Sequence, residues 1–227
     1  MPSKGGPNII TDGLVFAVDA ADKNSYPGSG TTWTDLAGSD NGTLTNGPTF
    51  DSGNGGSIDF DGSDDYVSTT FDATGGINVT FCFWVKIDVF SDGGYIVDQS
   101  TGATGFGIRT ITSGDIQTFA RNSNNTSVNS VFPLDGLLST NTWYNMCFKY
   151  TTNQQKSYLN GVLVSTDTIT LDTISVDSTN NMVIGSRNDA ADGYFNGKIS
   201  YIQIYNNALT DAEITQNYNA LKGRFGL

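Results

Sequence analysis

Phe81-Cys82-Phe83-Trp84-Val85-Lys86-Ile87 is the stretch whose reading decides the fold. Side chains alternate across a strand, so Phe81, Phe83, Val85 and Ile87 share one face while Cys82, Trp84 and Lys86 share the other. The same period recurs on both sides. Leu14-Val15-Phe16-Ala17-Val18 is a short apolar strand ending at Asp19. Ser57-Ile58-Asp59-Phe60 alternates into an Asp61-Gly62 turn, and Tyr66-Val67 resumes. Gly105 to Thr112 and Asp115 to Arg121 pair as a hairpin around Ser113-Gly114. Trp143 to Tyr150 sets Tyr144, Met146, Phe148 and Tyr150 together. In Ser157 to Val164, Asn160-Gly161 supplies the two positive φ values of a type I′ turn. Asn181 to Gly185 is a further strand, and Tyr194 to Tyr205 is the last. There the phase slips between Ile199 and Ile202, which predicts a β-bulge near Ser200 or Tyr201.

One helix closes the pattern. Thr210-Asp211-Ala212-Glu213 is a capping box placed before the periodic apolar residues Ile214, Tyr218 and Leu221. It predicts a helix from about Asp211 to Lys222 that stops near Gly223. Many short strands, frequent turn signals and one short C-terminal α-helix predict an all-β chain: a two-sheet antiparallel β-sandwich or jelly roll. No break in composition divides it. Residues 13–227 therefore read as one domain, preceded by an extended Gly- and Pro-rich arm over residues 1–12.

Composition narrows the function. The 227 residues hold 22 aspartates, one glutamate and no histidine. The glutamate, Glu213, is occupied by the cap. Acid/base catalysis would rest on aspartates alone, with no imidazole to move protons near neutral pH. A binding or structural protein is expected, not an enzyme. The net charge of −12, with scattered Lys and Arg, argues against nucleic acid and anionic membranes as partners. No apolar run reaches transmembrane length, and no secretory signal follows Lys4, so the chain is expected to be made in a cytosol. The sequons at Asn41, Asn78, Asn124 and Asn125 carry no weight without a secretory route. Cys82 and Cys147 each lie inside an apolar strand. They are expected as two buried free thiols, because two mid-strand cysteines rarely meet bridging geometry.

Four stretches together resemble the laminin-G-like, concanavalin A-like jelly-roll superfamily. They are Ser57-Ile58-Asp59-Phe60-Asp61-Gly62 with Asp64-Asp65-Tyr66-Val67; Phe83-Trp84-Val85-Lys86; Trp143 to Tyr150 with Tyr158-Leu159-Asn160-Gly161; and Ile184-Gly185-Ser186, Phe195 to Ile199 and Ile204 to Ile214. A narrower likeness lies in Gly13-Leu14-Val15 to Asp19-Ala20, Ser25 to Trp33, and Gln216 to Phe225. These look like the versions of the domain found in structural proteins of tailed bacteriophages. The resemblance implies a non-enzymatic virion-surface role, as capsid decoration or fibre component. Other virion proteins and host glycans would be its partners, and it would be a homo-oligomer in the particle. A stand-alone Ca²⁺-dependent lectin is the alternative, and a glycan hydrolase the third reading.

Three sets of residues are candidates for contact. Asp61, Asp64 and Asp65 in one loop, and Asn188, Asp189 and Asp192 in another, offer the oxygens a Ca²⁺ ion takes, with Asp19 able to join. The plainer reading is that Asp and Asn make these turns. Trp33 in a polar loop and Trp84 on the second face of its strand are candidate sugar platforms, whereas Trp143 reads as packing. Ile9 and Ile10 mark the arm as a segment that could dock on another virion protein.

Overall fold

The computed structural model describes residues 7–73, 76–101, 104–122, 127–132, 136–171, 173–174, 180–189 and 191–227. The first six residues of the arm and the sequons at Asn124 and Asn125 lie outside them. Among the described residues the strands run, in chain order, β1 Leu14–Asp19, β2 Thr32–Trp33, β3 Gly42–Thr45, β4 Thr49–Asp51, β5 Ser57–Asp61, β6 Tyr66–Thr69, β7 Val79–Ile87 and β8 Gly94–Ser100. They continue with β9 Gly105–Thr110, β10 Ile116–Arg121, β11 Ser127–Phe132, β12 Trp143–Thr151, β13 Gln154–Leu159, β14 Val162–Thr168, β15 Val183–Ile184 and β16 Asn196–Tyr205. The helix α1, Asp211–Leu221, follows.

The strands form two antiparallel sheets. The first has the order β14-β13-β12-β7-β16-β5-β4, with β1 also on β16; the second has the order β11-β10-β9-β8-β15-β6-β3-β2. The decisive stretch lies in β7, between β12 and β16. Its alternation is used on both faces. Phe81, Phe83, Val85 and Ile87 enter the core between the sheets with Phe148, Ile58 and Ile202, against Phe106, Ile108 and Ile184 of the second sheet. Cys82 and Trp84 point the other way, into two smaller apolar clusters.

Local chemistry follows the sequence closely. Asn160 and Gly161 have φ of 51° and 76°, and they join β13 to β14. The register of β16 shifts between Ile199 and Tyr201, where the predicted bulge buries Ser200 with its Oγ donating to the Gly56 carbonyl. The first half of β16 then pairs with β5 and the second half with β1. In α1 the Thr210 Oγ accepts from the Glu213 N–H at 3.2 Å, and the Thr210 N–H donates to Glu213 Oε2 at 2.7 Å. Both halves of the capping box are present.

The cysteines correct the sequence expectation. Cys82 and Cys147 form a disulfide and are not free thiols. The reason is register. In the antiparallel pair β7·β12 these two residues stand directly opposite, with Cα atoms 4.1 Å apart. Mid-strand cysteines bridge when pairing sets them side by side.

Candidate functional site

A two-sheet sandwich has four sheet faces. Two meet in the core. The outer face of the first sheet is covered at its central strands by α1, by the segment after it and by the described part of the arm. Trp84 shows how tightly. It is 1% exposed, stacked between Tyr218 (centroids 5.8 Å apart) and Phe225 (4.0 Å). Trp143 Nε1 donates to Asn54 Oδ1 at 3.0 Å, and its ring lies 4.9 Å from Phe225. Asn217 of α1 is buried; its Oδ1 accepts from the Ile10 N–H at 2.7 Å and its Nδ2 donates to the Tyr205 hydroxyl at 3.0 Å. That hydroxyl donates to the Ile10 carbonyl at 3.0 Å.

The outer face of the second sheet carries a cleft of about 750 Å³. Its floor comes from β8, β9 and β10. Tyr95, Arg109, Gln117, Phe119 and Arg121 line it, and Arg187 closes one side. These are the positions whose neighbours Ile108, Ile116 and Ala120 fill the core, so the strand period sends them outward. The register sets Phe119 opposite Gly107 and Gln117 opposite Arg109. Gly107 is needed there, because a Cβ would collide with the Phe119 ring.

The cleft is polar and positive in an acidic chain, and its two rings, Tyr95 and Phe119, are each only 7% exposed. Three of the four arginines line it. The Arg109 guanidinium lies 5.5 Å from the Tyr95 centroid, and that of Arg121 lies 5.3 Å from the Phe119 centroid. Arg109 Nε donates to Gln117 Oε1 at 2.7 Å, and Arg121 Nη1 donates to the Thr101 carbonyl at 3.1 Å. Arg187 pairs with Asp189 and Asp192. Beneath the surface lies Asp98, fully buried. Its Oδ2 accepts from the Asn188 N–H at 2.9 Å and from the Ser100 hydroxyl at 3.1 Å, while Oδ1 has no partner among the described residues. Burial pushes its carboxyl up to about 7, against the pull of those two bonds and of Arg187. A second cavity, of about 150 Å³, opens near Phe71 and Ile174 and is too small for a sugar ring with its hydroxyls.

The residues singled out in the sequence fall elsewhere. Trp33 is 0% exposed and belongs to the core, so it offers no face to a sugar. Trp84 is covered, as described. Both tryptophans were legible as apolar, but what lies over them is set by distant segments. Asp19 is held by Arg224, whose Nη1 donates to both carboxylate oxygens at 2.8 and 3.0 Å, so it does not join a metal cluster. Asp189 and Asp192 are paired with Arg187, and the Asn188 amide Nδ2 donates to the Asn181 carbonyl at 3.0 Å. Asp61, Asp64 and Asp65 do come together, with one carboxylate oxygen of each within 4.8 Å of the others. Yet Asp61 Oδ1 accepts from the Ser63 N–H and Asp65 Oδ2 from the Asp61 N–H, which are turn-making bonds. Ile9 and Ile10, the expected docking arm, pack on their own first sheet.

The cleft residues escaped the sequence reading. Their signal was present: Tyr95, Arg109, Phe119 and Arg121 occupy outward phases where small polar residues usually suffice.

A jelly-roll sandwich with a polar cleft on the outer face of its second sheet is the class these features define. The chain belongs to the concanavalin A-like lectin/glucanases superfamily, whose laminin-G-type family model matches residues 61–215. No curated protein matches it. Among solved structures, the receptor binding domain of botulinum neurotoxin C/D mosaic serotype is similar at 18% identity and a TM-score of 0.72, over 92% of this chain and 51% of that one. The receptor binding domain of botulinum neurotoxin type G is similar at 15% identity and a TM-score of 0.70, over 91% of this chain and 51% of that one. This chain spans about half the length of those toxin domains. Domain 4 of a GH43 extracellular arabinanase from Geobacillus stearothermophilus, in complex with arabinotriose, is similar at 17% identity and a TM-score of 0.71, over 90% of this chain and 98% of that one. At these identities the likeness is one of fold.

Proposed function

We propose that the chain is a non-catalytic glycan-binding module whose ligand lies in the cleft on the second sheet. The observation that carries this is the set of fixed polar groups on the cleft floor, Arg109, Gln117 and Arg121, with the two guanidiniums held over the nearly buried rings of Tyr95 and Phe119. Sugars present rings of hydroxyls, and a floor of fixed donors and acceptors answers them. Glycoside hydrolysis needs two carboxyl groups flanking the bond. The carboxylates at this cleft are otherwise engaged, since Asp98 is buried under the floor and Asp189 is paired with Arg187. A glycan array is the test. Retention of a glycan class, unchanged by chelator and lost in Gln117→Trp, which fills the cleft floor, is expected. Cleavage of the retained glycan would overturn the non-catalytic reading, and chelator sensitivity would favour Ca²⁺ at the Asp61, Asp64 and Asp65 trio.

The particle surface of a tailed phage is the setting this reading gives the module, on the likeness of the segments around Trp33 and Phe225. One further surface supports protein contact there. Val162, Leu163 and Val164 are consecutive and exposed on β14, which is an edge strand. An apolar edge with unpaired backbone groups invites another chain. Val164→Lys is expected to reduce self-association in light scattering, or binding to particle proteins, without loss of the glycan.

A further inference from the structure

We infer that the cleft takes an acidic polysaccharide, lying along the strands with its carboxylate or sulfate groups against Arg109 and Arg121. This rests on the glycan-binding reading and adds the class of sugar. The first ground is charge. Acidic side chains outnumber basic ones 23 to 11, so most places in this chain offer a cation an acid nearby. Arg187 and Arg224 are paired with carboxylates. Among the described residues Arg109 and Arg121 have no ion-pair partner, and each is held by neutral acceptors and by an aromatic face. Their charge is fixed in place and left unneutralised. A guanidinium presents parallel donors that match a carboxylate or sulfate.

The second ground is spacing. Arg109 stands opposite Gln117, and Arg121 lies four residues further along β10. At the rise of an extended strand the two are about 13 Å apart along the cleft. Phe119 lies between them, opposite Gly107. Two fixed charges in line at that separation suit an extended chain that repeats its acidic group, and suit a single small anion poorly. The third ground is that, among the described residues lining the floor, no carboxylate is left to compete: Asp98 is below it, covered, and Asp189 is spent on Arg187.

Affinity electrophoresis against polygalacturonate, dextran sulfate and uncharged dextran tests this. Retardation by at least one of the acidic polymers and not by dextran is expected, weakening about tenfold from about 0.05 M to about 0.3 M salt. Arg109→Gln and Arg121→Gln should each lose about tenfold, while Lys23→Gln, the same loss of charge at an exposed site elsewhere, should not. If either Gln variant fails to fold, Arg109→Lys and Arg121→Lys keep the charge but lose the fork, and an intermediate loss is expected. Equal retardation by dextran, or arginine variants that bind as the parent does, would overturn the acidic class and leave the glycan reading standing. No retardation by any of the three, together with an empty glycan array, would remove both.

Discussion

Phe225 stacks on Trp84 with ring centroids 4.0 Å apart and planes 9° from parallel. The contact joins the segment after α1 to the centre of the first sheet, and it covers that sheet's outer face around Trp84. Phe225→Ala removes one side of the stack and leaves the indole facing water. Cutting a buried Phe to Ala costs about 3 kcal/mol. The expected result is a lowered denaturant midpoint with a red-shifted tryptophan emission already present in the native state. An unshifted spectrum would mean that other groups cover Trp84.

The disulfide closes a 65-residue separation between β7 and β12. Chain-entropy reasoning gives about 4 kcal/mol for a loop of that size. Thermal melts with and without reductant should therefore separate by many degrees, and Cys82→Ala/Cys147→Ala should melt like the reduced parent. A disulfide also persists best in oxidising surroundings. Equal melts would show that native packing alone fixes the pair.

The fold was largely written in local signals, and the site was not. Alternation in Phe81 to Ile87, the Asn160-Gly161 turn, the slip near Ser200 and the Thr210 to Glu213 cap each need only a few adjacent residues, and each appears as expected. Cys82 and Cys147 needed the register of strands far apart in sequence. Trp84 needed to know that Tyr218 and Phe225 fold back over it. The cleft is harder still, since β8, β9 and β10 must be paired in register before Tyr95, Arg109, Phe119 and Arg121 become neighbours. Asp19 looked like a free ligand because its partner, Arg224, is at the other end of the chain.

Arg224 ties that other end down. Besides the two bonds to Asp19, its Nε donates to the Asn54 carbonyl at 2.8 Å and its Nη2 to the Gly56 carbonyl at 3.1 Å. A planar fork serves these acceptors and an ammonium cannot, so Arg224→Lys should destabilise nearly as much as Arg224→Ala. Removing one partner of a mostly buried pair costs about 3 kcal/mol. Burial already raises the Asp19 carboxyl, with Arg224 pulling it back. In Arg224→Ala the pull is gone, so the loss should be larger at pH 8 than at pH 5, where Asp19 can take a proton. Urea titrations at the two pH values measure it, and Asp19→Asn in that background should recover part of the loss.

Asp98 gives the sharpest pH signature. Its carboxyl titrates at about 7 when folded, against an ordinary value of 3.8. The folded state thus holds the proton more tightly than the unfolded chain does. Stability from this group is fully present below the unfolded value and is lost as pH rises from about 4 through about 7, by a few kcal/mol in all. Asp51, Asp189 and Asp211 have carboxyls lowered by their cationic partners, and they act in the opposite direction on acidification. The comparison must therefore be made between variant and parent at each pH. Asp98→Asn keeps an acceptor for the Asn188 N–H and the Ser100 hydroxyl and carries no charge. It should be more stable than the parent at pH 8, with the advantage shrinking to nothing by about pH 4. A constant difference across that range would mean that the cleft floor admits enough water to keep Asp98 ionised at neutral pH.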